Sequence, residues 1–90
     1  MLEMQEDGNL VLYNRNIALW STGTSGSLNQ LVMRPDGNLV VFDNMNKQVC
    51  WEAGTRGEGN YMVLGDDANL AVYDENGNEL WSSRSRLSRF

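Results

Sequence analysis

The sequence predicts an all-β fold of three small antiparallel sheets around a pseudo-threefold axis. Three observations point there. Asp7, Asp36 and Asp67 stand 29 and 31 residues apart, and Trp20, Trp51 and Trp81 stand 31 and 30 apart, so the chain repeats about every 30 residues. Each copy opens on a tight turn, Asp7-Gly8, Asp36-Gly37 or Asp67-Ala68, followed by alternating residues that read as a half-buried strand. Each copy ends on a single Trp. Self-similarity at this period means one supersecondary unit copied around a shared core, since a lone three-stranded sheet cannot bury enough surface. The expected organisation is one domain, 1–90, with repeats at about 1–29, 30–59 and 60–90.

Within each copy the strand after the turn divides its side chains between two faces. Leu10 and Leu12 oppose Asn9, Val11 and Tyr13. Leu39 and Val41 oppose Asn38, Val40 and Phe42, and Leu70 and Val72 oppose Asn69, Ala71 and Tyr73. A second polar turn follows, at 14–16, 43–47 and 74–78, and its variable length suits a surface hairpin. The third strand runs to the Trp, which is expected to bring its indole to the common centre. Gly- and Ser-rich stretches, 21–27 and 53–59, read as linkers to the next copy.

Composition narrows the function. Seven basic and twelve acidic residues give a net charge of −5, a poor match to nucleic acid, whose affinity rests on neutralising phosphates. No apolar run is long enough to insert in a membrane as a helix. The chain has no His and a single Cys, Cys50, so His-based catalysis, His-ligated zinc and an intrachain disulfide are all excluded. Cys50 reads as a small structural side chain rather than a nucleophile, with no His to activate it. The run 74–79 lacks the helices and closing Glu of a calcium loop and reads as a hairpin turn. Neither a metal, a cofactor nor an enzymatic activity is expected. The opening residues carry no leader pattern. The compartment stays open between a reducing one, which the single Cys suits, and secretion or the cell surface.

The faces turned away from the core need another explanation. In the first copy, Gln5, Asp7, Asn9 and Tyr13 share a face with Val11. Two amides, a carboxylate and a phenol around a small apolar residue offer donors and acceptors in a fixed array. A sugar hydroxyl is both donor and acceptor, and Val11 can pack on a sugar C–H face. Asp-Gly-Asn is also a common turn, in which Asp and Asn bond their own backbone. Turn-making does not explain Gln5, Val11 and Tyr13 in phase with it, nor the Asn kept in all three copies.

The run Gln5-x-Asp7-x-Asn9-x-Val11-x-Tyr13 resembles the Q-x-D-x-N-x-V-x-Y motif of the monocot mannose-binding lectins, the bulb-type family, over most of the chain from about Leu2 to Ser82. The resemblance implies a β-prism II fold with a mannose site on each sheet. There the Gln, Asp, Asn and Tyr hydrogen-bond sugar hydroxyls and the Val packs on the ring. It also implies mannose or high-mannose glycans as partners and a homodimer formed by exchange of C-terminal strands.

Carried over residue by residue, the first site is complete. The second keeps Asp36, Asn38 and Val40 but has Arg34 for Gln and Phe42 for Tyr. The third keeps Asp67, Asn69 and Tyr73 but has Gly65 for Gln and Ala71 for Val. Gly8 stands where plant members carry the first disulfide cysteine, and the chain starts later than typical members. Either the chain is trimmed at its start, or the tail 82–90 supplies the missing strand in its own prism or a partner's, with Leu87 and Phe90 as anchors; with Arg84, Arg86 and Arg89, the tail also reads as a disordered basic terminus. The degenerate second and third motifs also suit another function, a structural or protein-interaction β-prism that has lost most sugar binding.

Overall fold

The computed structural model describes residues 1–85, which form nine strands and no helix. Strands β1 (Leu2–Met4), β2 (Leu10–Asn14) and β3 (Ile17–Ser21) make the first sheet. Strands β4 (Asn29–Met33), β5 (Leu39–Asp43) and β6 (Gln48–Glu52) make the second, and β7 (Tyr61–Leu64), β8 (Leu70–Tyr73) and β9 (Glu79–Ser82) the third. Each sheet is antiparallel in chain order, its middle strand following the Asp turn. The expected tail strand falls largely on residues 86–90, outside the described residues.

The middle strands form the core. Leu12, Leu39, Val41, Leu70 and Val72 are fully buried. Leu12 pairs with Trp20, Val41 with Trp51 and Val72 with Trp81, so each Trp lies on the inner face of its own sheet. The three indoles meet, with ring centroids 5.6, 5.5 and 5.3 Å apart and planes inclined at 72°, 65° and 71°. Each pair is edge to face, the arrangement in which the positive ring edge meets the negative face. One Trp per copy thus joins three sheets, as the repeat predicts.

The sequence did not reveal how the Trp reaches that face. Tyr13 pairs with Ala18, whereas the adjacent Leu12 pairs with Trp20, leaving Leu19 as an extra residue. The same bulge puts Cys50 and Leu80 out of register in the other sheets. In a regular strand Ala18 and Trp20 would share a face. The extra residue reverses the alternation, so Ala18 faces out with Tyr13 while Trp20 faces in.

The stretches read as linkers are fastened down. Thr24 Oγ1 donates to the Gly8 carbonyl at 2.6 Å, and Asn29 Nδ2 donates to the same oxygen at 2.9 Å. Thr55 Oγ1 donates to the Gly37 carbonyl at 2.9 Å while accepting from the Leu39 N–H at 3.2 Å. Ser85 Oγ donates to the Ala68 carbonyl at 2.7 Å. These contacts explain Gly8 and Gly37. Their φ angles are 88° and 85°, and a Cβ there would lie 2.3 Å from Gly26 N and 1.9 Å from Gly57 O. Ala68 adopts φ 64° at the third turn, a left-handed conformation costing roughly 1 kcal/mol in a non-glycine residue.

The third sheet is less covered than the others. On β7, Tyr61, Met62, Val63 and Leu64 are 44%, 37%, 38% and 42% exposed, although Met62 and Leu64 belong to the inner face through their pairing with Val72 and Leu70.

Candidate functional site: the outer faces of the three sheets

Register assembles each outer face. On the first sheet Glu3 lies opposite Val11, and Gln5 N–H donates to the Asn9 carbonyl at 2.9 Å, so Glu3, Gln5, Asn9, Val11 and Tyr13 share one surface beside the Asp7 turn. The equivalent surfaces carry Val32, Arg34, Asp36, Asn38, Val40 and Phe42, and Val63, Gly65, Asp67, Asn69, Ala71 and Tyr73. All twelve positions expected from the motif therefore lie on the outer faces, five on the first sheet, four on the second and three on the third.

Each Asp does one job in common. Its Oδ1 accepts the backbone N–H two residues on, at 2.9 Å for Asp7 to Asn9, 3.0 Å for Asp36 to Asn38 and 3.2 Å for Asp67 to Asn69. This closes the turn.

The Asn residues carry a structural duty beyond the turn and ligand roles that their sequence suggests. Asn9 Oδ1 accepts the Gly23 N–H at 2.8 Å and Thr22 Oγ1–H at 3.4 Å. Asn38 Oδ1 accepts the N–H groups of Gly54 and Thr55, both at 3.0 Å. Asn69 Oδ1 accepts Ser83 Oγ–H at 3.2 Å and the Ser85 N–H at 3.3 Å. The acceptor end of each amide ties the exit of the third strand to the middle strand. That need accounts for Asn in all three copies, and it leaves the Nδ2 end of each for other partners. The hydroxyl partners Thr22, Thr24, Thr55, Ser83 and Ser85 escaped the sequence reading; their signal was a Ser or Thr placed two to four residues after each Trp.

On face one, Gln5 Nε2 donates to Tyr13 Oη at 2.5 Å. From the register this bond lies across Val11, which is only 4% exposed. The Gln5–Tyr13 bridge thus crosses the residue expected to pack on a sugar C–H face. Among the described residues, the second oxygen of Asp7 and the Asn9 Nδ2 carry no hydrogen bond.

Face two is spent differently. The Arg34 guanidinium lies 3.0 Å from Asp36 Oδ2, and Arg56 Nε lies 3.8 Å from the same oxygen. Asn38 Nδ2 donates to Glu52 Oε1 at 3.4 Å. A basin of about 430 Å³ is lined by Val32, Arg34, Val40 and Phe42.

Face three holds a cavity of about 300 Å³ whose lining includes Val63, Gly65, Asp67, Asn69, Ala71 and Tyr73. The small Gly65 and Ala71 open it, as their size predicts. Tyr73 stacks on Tyr61, with centroids 5.7 Å apart and planes 27° apart. A Cβ on Gly65 would lie 2.7 Å from Asp67 Oδ1, so a longer residue there requires Asp67 to move.

The perturbed ionisable groups lie elsewhere. The Asn46 side-chain amide, joined by the backbone N–H groups of Asn46 and Met45, holds the Asp43 carboxyl below its usual range. The backbone and side-chain N–H groups of Asn78 do the same for Asp74. Desolvation, with the Asp43 charge second, pushes the Cys50 thiol up, which keeps it a poor nucleophile. Among the described residues no group of three or more Cys, Asp or Glu is placed to hold a metal ion.

Three three-stranded sheets joined by a Trp trio, each with an Asp-x-Asn turn on its outer face, define a protein of the β-prism II lectin fold. No family model matches the chain. A monomeric monocot mannose-binding lectin from Gastrodia elata superposes with a TM-score of 0.85 at 37% identity, over 96% of this chain and 80% of that one. The mannose-specific agglutinin of snowdrop, Galanthus nivalis, solved with methyl-α-D-mannoside, gives a TM-score of 0.71 at 34% identity, over 97% of this chain and 80% of that one. A mannose-specific lectin from Dendrobium findlayanum is 46% identical over 50 residues, 53% of this chain and 30% of that protein. The chain thus spans about a third of the length of that curated relative. It belongs to the monocot mannose-binding lectin family.

Proposed function

We propose that the chain is a mannose-specific carbohydrate-binding protein without catalytic activity, and that face one is its principal site. The observation that carries this reading is the complete constellation of Gln5, Asp7, Asn9, Val11 and Tyr13 on one sheet face, with an Asp7 oxygen and the Asn9 amide N–H groups uncommitted. A mannose hydroxyl can donate to Asp7 while accepting from Asn9. Tyr13 Oη already accepts from Gln5 and keeps its own proton to donate to a second hydroxyl. Opening the Gln5–Tyr13 bridge would let the ring reach Val11. Mannose recognition by the snowdrop relative supports the same reading.

Faces two and three are the weaker carbohydrate sites. Face two, with Asp36, Asn38, Val40 and Arg34, has its carboxylate and amide engaged internally. Face three, with Asp67, Asn69 and Tyr73, lacks the Gln and Val side chains. A single shallow site binds at about millimolar strength, roughly −4 kcal/mol, so useful glycan affinity needs several sites held together. A homodimer formed through the C-terminal segment would supply them.

The test is titration with methyl α-mannoside, followed through backbone amide shifts. Shifts concentrated at Gln5 to Tyr13 support the reading. Absence of shifts on any face, together with silence on a glycan array, would instead favour a β-prism that has lost sugar binding, a reading for which the occupied polar groups of face two speak.

A further inference from the structure

We propose that face two binds a pyranose carrying a carboxylate, a uronic or sialic acid residue, in place of a neutral sugar. The inference rests on the carbohydrate reading of the outer faces and departs from it in the ligand. The neutral-sugar array is closed there. Asp36 gives one oxygen to the Asn38 N–H and the other to Arg34 and Arg56. The Asn38 amide donates to Glu52, and Phe42 has no phenol. What the face still presents is guanidinium. The Arg34 and Arg56 side chains are 40% and 70% exposed, and each guanidinium carries five N–H donors, more than one Asp36 oxygen can occupy.

Arg34 stands on the rim of the basin floored by Val32, Val40 and Phe42. An apolar floor suits the C–H face of a pyranose or the methyl of an N-acyl group. A planar guanidinium at its edge takes a carboxylate bidentately, a geometry Gln cannot reproduce. Face one is built the opposite way. Glu3 stands where face two has Val32, and neither Glu3 nor Asp7 is in an ion pair among the described residues. With Glu52 counted, face two balances two cations against two anions, whereas face one presents two carboxylates that repel an acidic sugar.

The experiment titrates the full chain with methyl β-glucuronide, with the methyl glycoside of sialic acid, and with the neutral methyl β-glucoside and methyl α-mannoside, reading amide shifts on both faces. An acidic sugar should shift Arg34, Val40 and Phe42 and leave Gln5 to Tyr13 unmoved; which of the two acids does so identifies the source. Binding should weaken with added salt, while mannoside binding at face one should not. Arg34→Gln should lower the acidic sugar's affinity about tenfold, and Arg34→Lys by less, because only Arg offers the bidentate fork. Asp7→Ala should leave acidic-sugar binding unchanged, which keeps this proposal separable from the mannose reading. Equal affinity of face two for glucuronide and glucoside, an Arg34→Gln variant that binds unchanged, or no acidic-sugar shifts on face two would each overturn it.

Discussion

Asn9, Asn38 and Asn69 are the residues at which turn chemistry and ligand chemistry meet. Each amide spends its oxygen on the exit of the third strand, and Asn38 is fully buried while doing so. Removing that side chain strands two backbone N–H groups, those of Gly54 and Thr55. Asn38→Ala is therefore expected to lower stability by about 1–3 kcal/mol, the penalty of an unsatisfied buried donor, here the Thr55 N–H, since Gly54 is exposed to water; it is read as a fall in melting temperature. Asn38→Asp, which keeps the acceptor, should lose less. The sequence showed the recurrence of Asn in phase with the turn but not its reason, because the partner hydroxyls and N–H groups lie 13 to 17 residues away.

At the scale of the strands and turns, alternation and Asp-Gly signals were enough to place the middle strands and their two faces. They could not show the bulges at Leu19, Cys50 and Leu80, since an extra residue is visible only against its partner strand. They also missed the docking of 21–27 and 53–59, whose Gly and Ser content is that of a free linker but whose hydroxyls lock onto the turns. The second turns carry a pH dependence of their own. Asp43 and Asp74 have carboxyls held below their usual range by N–H donors. A carboxyl with a depressed folded-state pKa contributes stability that is present above the unfolded value, about 3.9, and lost as pH falls through the folded one. With no His, the melting temperature should fall mainly below about pH 4. Asp43→Asn should be less stable than the parent at neutral pH, and the difference should shrink as the pH falls through that window.

For the whole molecule, the repeat was the most legible feature, because three Trp at one spacing have a common physical use. The trio of edge-to-face indoles replaces the large single core that 90 residues cannot build. Trp51→Ala is expected to cost about 3 kcal/mol, near the lower end for emptying a large aromatic site because the indole is half-buried. A loss under about 1 kcal/mol in thermal melts would contradict a load shared through the Trp trio. The differences among the three faces were legible as substitutions, Arg34, Phe42, Gly65 and Ala71. The pairing of Arg34 with Asp36 was not, since a spacing of two along the chain does not say which way a long side chain turns.

Those differences also set the most direct test of mannose recognition by face one: calorimetric titration of Asp7→Ala, Asp36→Ala and Asp67→Ala with methyl α-mannoside or a mannose-rich glycan. The Asp7 variant is expected to lose most of the binding and the Asp67 variant the least. An Asp7→Ala protein that stays folded and binds mannoside like the parent would contradict the assignment.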